Sequence, residues 1–136
     1  MCITVYDRVA DEIRQKNPEK LKVYKYLYNK SGTYLSIYYY YEWKLGDNIV
    51  VKNVSVLVRK RYDDVQSEGF HVYLNKEDAV KDFPYFQNDS DVEDIVLVEL
   101  EANIEDLVCA GIWEGRVESA IFKKLNLIGE CNVSVD

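Results

Sequence analysis

Glu68-Gly69-Phe70-His71-Val72-Tyr73-Leu74-Asn75-Lys76-Glu77-Asp78-Ala79 holds the one histidine of the chain, and its reading decides the fold. Gly69 can take a positive φ and close a turn. Phe70, Val72 and Leu74 alternate with His71 and Tyr73, the period of a half-buried strand. Asn75 is a good helix N-cap, and Asp78 stands three residues on, a relative of the capping box. Lys76 to Asp82 should therefore form a short helix, with Ala79 and Val80 facing inward and Phe83-Pro84 ending it.

Working back toward the N-terminus, Leu21 to Tyr28 alternates plainly. Leu21, Val23 and Leu27 share one face and Tyr24, Tyr26 and Tyr28 the other, which predicts a strand covered on both faces. Residues 1–5 are apolar and β-branched and fit a short strand or a buried arm. Val9, Ala10 and Ile13 form a helical stripe over about residues 6–16, ended by Asn17-Pro18. Asn29-Lys30-Ser31-Gly32 and Gly46-Asp47-Asn48 read as turns. Tyr34 to Trp43 begins as strand, and residues 49–51 and 54–58 add strand signal.

Toward the C-terminus, residues 83–93 read as a loop rich in Asp and Asn, and Ile95 to Leu100 as a buried strand. Residues 103–115, with Gly111 and Gly115, read as a loop carrying Ile112 and Trp113. Val117 to Leu127 admits helix or strand, and Leu125 and Leu127 favour a long final strand. The non-alternating order of elements predicts a single α+β domain over 1–136. We expect a mainly antiparallel sheet of about six or seven strands, with two short helices on one side.

The 136 residues suffice for one domain with a real core. Nearly half are hydrophobic and the net charge is −7, the balance of a globular chain rather than a disordered one. No apolar run reaches the roughly 18 residues of a membrane span, and no basic segment leads into an apolar one at the start. A cytoplasmic location is the expectation. Cys2, Cys109 and Cys131 are widely spaced and form no zinc pattern, so they read as free thiols. Lys and Arg outnumber Asp and Glu twofold over residues 1–62, and the balance reverses more than threefold over 63–136. The plain reading is one surface with opposed patches. The sharper one is an acidic face that meets a basic partner.

Met1-Cys2-Ile3-Thr4-Val5, the Lys22-Val23-Tyr24-Lys25 strand, Tyr34 with Ser36, Gly46 and Gly69-Phe70-His71-Val72-Tyr73 form an ordered set. The set resembles a group of small uncharacterised proteins of bacteria and their phages. These share an MCxTV-like start and a Gly-Phe/Ile-His-Val-Tyr/Phe segment. The resemblance spans most of the chain and implies no known activity. It points to a phage or mobile-element accessory protein, one that antagonises a host defence.

Three constellations can carry chemistry. Cys2 and His71 are the catalytic candidates, because a thiolate beside an imidazole is a competent nucleophile; Asp63, Asp64 or Glu68 would orient the ring. The plain alternative is a packed cysteine and a strand histidine. Tyr24 and Tyr26, with Arg59, Arg61 and His71, are the ligand-binding candidates, since aromatics among basic residues can stack bases and hold phosphates. Against that stand an aromatic core, the negative net charge and the lack of any Gly-rich phosphate loop. Asp89, Asp91 and Asp94 head the acidic half and are the partner-binding candidates. They lack the glycine and terminal glutamate of a calcium loop, so no metal is expected, and no cofactor motif occurs. Two functions follow. The first is a non-enzymatic cytoplasmic interaction protein that binds a macromolecule, with a basic nucleic-acid-binding protein as one candidate. The second is a small-molecule or nucleotide-binding domain, with the Cys/His pair as an enzyme site.

Overall fold

A computed structural model describes residues 3–37, 41–49, 64–66 and 69–131. In chain order the elements are β1 (Ile3–Val5), α1 (Asp7–Lys16), β2 (Lys20–Lys30), β3 (Thr33–Ser36), β4 (Glu42–Trp43), β5 (Gly46–Ile49), β6 (Asp64–Gln66) and β7 (Phe70–Tyr73). They continue with α2 (Lys76–Asp82), β8 (Ile95–Asn103), β9 (Leu107–Trp113), β10 (Val117–Phe122) and β11 (Lys124–Glu130). Short 3-10 turns at Phe83–Phe86 and Val92–Asp94 join α2 to β8.

The sheet is built around β2, whose alternation matches the sequence reading. Val23 and Leu27 enter one apolar cluster, and Tyr26 and Tyr28 enter the other. One edge of β2 pairs with β8 from Lys20↔Asn103 to Tyr28↔Ile95. The opposite edge divides: Tyr24 pairs with Tyr73 of β7, and Leu27 to Lys30 pair with β3. β2 is thus the stem of a fork whose two arms are β7 and β3. A two-residue turn joins β2 to β3, with positive φ at Ser31 (56°) and Gly32 (87°), the geometry that suits the strand twist.

Among the described residues eleven strands join one antiparallel sheet in the order β5-β11-β8-β2-β7-β10-β9-β1-β6, with β3 on β2 and β4 on β3. The α+β, mainly antiparallel class stands, but six or seven strands was too few. Three glycine-bearing or ambiguous segments account for much of the difference. Gly46-Asp47-Asn48 is the edge strand β5, where the Asn48 side chain bonds the backbone of Lys44 and Gly46. Residues 107–113 are β9 rather than loop. Gly111 there marks a close approach, since a Cβ on it would lie 1.8 Å from the Thr4 carbonyl oxygen of β1. Residues 117–127 divide into β10 and β11 around Lys123. The strand signals at 50–51 and 54–58 lie outside the described residues.

The helices take opposite faces instead of one. α1 buries Val9, Ala10 and Ile13 against the cluster holding Val23, Leu27, Val98 and Leu100. α2 and the turn after it bury Ala79 and Phe86 against Tyr26, Tyr28 and Tyr73. A central strand apolar on both faces needs cover on both. α2 begins as its sequence predicts, with the Asn75 side chain accepting from the Asp78 amide at 2.8 Å. Its inward face differs, however: Val80 is exposed and Asp82 is buried. Among the described residues no helix is long and apolar enough to cross a membrane.

Candidate functional site

The outer layer over the tyrosine face is one continuous segment, residues 76–94. Its Asp and Glu outnumber its Lys more than threefold, and it has no Arg. Two internal anchors hold it. Tyr26 donates its hydroxyl to the Ala79 carbonyl oxygen at 2.7 Å, and its ring packs on Tyr73, Phe83 and Phe86. Tyr73 donates to Asp82 Oδ2 at 2.5 Å, while Arg116 grips the same carboxylate through Nε at 2.7 Å and Nη2 at 3.2 Å. Burial and the Asp82 charge push both phenols far above the usual tyrosine range. The Asp82 bond and the Glu114 carboxylate push the Arg116 guanidinium up as well. Arg116 also stacks over Tyr85 at 3.9 Å from the ring centroid.

The candidate acids Asp89, Asp91 and Asp94 lie in this layer close together. Asp89 accepts the Tyr28 hydroxyl at 2.6 Å, which holds its carboxyl below the usual range. Lys30 reaches Asp91 at 3.2 Å and Asp94 at 3.5 Å, and these contacts raise its ammonium. The acids thus fasten the layer to β2 while keeping their side chains 40% and 46% exposed at Asp91 and Asp94. Glu77 and Glu93 are exposed, as are Tyr85 and Val80 of the same layer.

His71 and the cysteines are arranged differently. Cys2, Arg59 and Arg61 lie outside the described residues, as do Asp63 and Glu68. Ile3, next to Cys2, sits on β1, which is separated from β7 by β9 and β10. At about 4.8 Å per strand that is about 14 Å across the sheet, and the register adds distance along it: Ile3 is level with Val117, His71 with Ile121. The backbone of Asp64, on β6, is one strand farther still. The Cys109 thiol is buried and pushed up to about 12, and burial and Glu99 raise that of Cys131. Neither has the depressed value of a reactive thiol.

Tyr24 is half-buried beside Glu99, and burial and that negative charge raise its hydroxyl. Tyr26 is spent in the core, so the two tyrosines offer no open stacking platform. Farther along the same face lies a polar depression of about 250 Å³ lined by Lys20, Asp47, Glu101 and Lys124. Its charges are paired, Lys20 with Glu101 at 3.4 Å and Lys124 with Asp47 at 3.3 Å, as on a solvated face. Among the described residues no group of three or more His, Cys, Asp or Glu is placed to hold a metal ion.

Sequence reasoning missed two residues. Arg116 closes on Asp82 from a distant turn, with no local signal. Lys25 did leave one: it occupies the apolar phase of β2, between Val23 and Leu27. Its Nζ donates to the His71 carbonyl oxygen at 2.8 Å, and no carboxylate among the described residues pairs with it. Desolvation lowers its ammonium to about 8. Comparisons with known protein families, curated proteins and solved structures give no match.

Proposed function

We propose that the protein is an interaction module whose acidic outer layer, residues 76–94, docks on a basic macromolecular partner. The supporting observation is local segregation: seven of the eighteen acids of residues 63–136 fall in this one layer, against two lysines, and Tyr85 and Val80 of the same layer are exposed. An aromatic anchor within a charged rim is a common interface design, and the charge would steer a basic, nucleic-acid-binding partner onto it. A phage or mobile-element setting, with a host defence protein as the target, rests on the sequence resemblance alone.

The test is capture of partners from a bacterial lysate at about 50 and 500 mM salt, where screening changes severalfold. The protein is compared with a Glu77→Gln, Glu93→Gln double variant. These two side chains are exposed, so the fold should persist. A partner held at low salt, released at high salt and lost with the variant is expected. Capture indifferent to both salt and charge would overturn the reading. Substituting Asp89, Asp91 and Asp94 by Asn is the stronger perturbation, but it also unfastens Tyr28 and Lys30.

The nucleotide or small-molecule reading keeps its own check. If a nucleotide panel raises the melting temperature, a site near His71, Tyr24, Arg59 and Arg61 is favoured.

A further inference from the structure

At the fork of β2 a lysine amine is fixed in apolar surroundings. Lys25 faces the same side as Val23, Leu27, Val72 and Phe70, all of them buried. Its strand neighbour across the ladder is Val98, which is fully buried. The ladder on this edge of β2 divides between β7 and β3, and there Lys25 Nζ donates to the His71 carbonyl oxygen of β7 at 2.8 Å. That bond uses one N–H and leaves the rest of the amine toward the apolar side.

Aromatic rings lead outward from the fork. Phe70, next to His71, lies 4.5 Å from Trp43 and 5.3 Å from Tyr41, centroid to centroid. Trp43 is buried and Tyr41 is 38% exposed, so the cluster runs from the core to the surface. Lys25 itself is half-buried rather than sealed.

We propose that Lys25 is an amine nucleophile and that this fork captures an aldehyde or ketone borne on an aromatic or other apolar group. The nitrogen lone pair attacks the carbonyl carbon, and a C–N bond forms. The carbonyl oxygen takes up the two amine hydrogens and leaves as water, giving an imine with no change of oxidation state. The site is suited to this because the uncharged amine is the reacting form. With its value lowered to about 8, roughly a tenth of Lys25 is uncharged at pH 7, against well under a hundredth of an ordinary lysine. The apolar face disfavours water and favours the apolar part of the ligand.

The experiment is competitive labelling of the folded chain with benzaldehyde and cyanoborohydride at pH 7, read by peptide mapping. The hydride reduces each imine to a stable secondary amine. Lys25 should be modified at least about tenfold faster than exposed Lys16 and Lys81, and the preference should vanish when the chain is unfolded first. Lys25→Arg, which keeps the charge and a donor for the His71 carbonyl, should remove that adduct alone. If Lys25 is labelled no faster than Lys16 when folded, or only after unfolding, the proposal is overturned and the lysine is a buried wedge. Neither result depends on the acidic layer.

Discussion

Lys25 stands where the alternation of β2 asks for an apolar side chain, and its proton decides how much that position costs. Its folded value of about 8 lies below the ordinary 10.5. Below pH 8 both folded and unfolded chains hold the proton, so the folded chain bears the whole desolvation penalty. Between pH 8 and 10.5 the unfolded chain alone still binds it, and stability climbs with pH. Lys25→Met should therefore stabilise the protein at pH 7 by about 1–3 kcal/mol, the range reflecting the lost bond to His71. The gain should shrink at pH 9.5. Urea midpoints of both chains at the two pH values check this, and a gain independent of pH would mean that the ammonium is solvated. The position was legible in the sequence as a lysine in phase with Val23 and Leu27. The lack of a carboxylate partner among the described residues was not, because that depends on which strands flank β2.

At the scale of elements, α2 shows what local spacing can and cannot reveal. Its start was readable because Asn75 and Asp78 are three residues apart and meet within one turn. Its buried face was not, because Asp82 is drawn inward by Tyr73 and by Arg116 from the β9–β10 turn. Arg116→Ala leaves a buried carboxylate with a single phenol for company. We expect a loss of about 2–4 kcal/mol, measured by urea unfolding followed through the fluorescence of nearby Trp113. Arg116→Lys should recover only part, since an ammonium cannot reproduce the two-pronged grip. β9 makes the opposite point: Gly111 read as a loop breaker, yet it is the place where β1 crosses too closely for any side chain.

For the whole molecule, the antiparallel α+β class was legible because alternation in β2, β7 and β8 is a local property. Strand count and the placing of helices were not, because short strands such as β4 and β5 are defined by their partners rather than their own residues. The same holds for the candidate site. Composition located an acidic excess in the second half, but only the fold lays its 76–94 portion over the tyrosine face, and only the fold separates Ile3 from His71 by intervening strands.

The pairing of β2 has a consequence during synthesis. A growing chain emerges N-terminus first, so Val23-Tyr24-Lys25-Tyr26-Leu27-Tyr28 leaves the ribosome long before β7 and β8 exist to receive it. Meanwhile it is a strand-prone segment with two apolar faces and nothing beside it but β3, the setting in which nascent chains stick to one another. A charge at its centre works as a gatekeeper against such stacking. Lys25→Met, though more stable once folded, should then yield less soluble protein on expression, as the soluble fraction after centrifugation would show. On this reading the lysine weakens the finished sheet and protects the unfinished one.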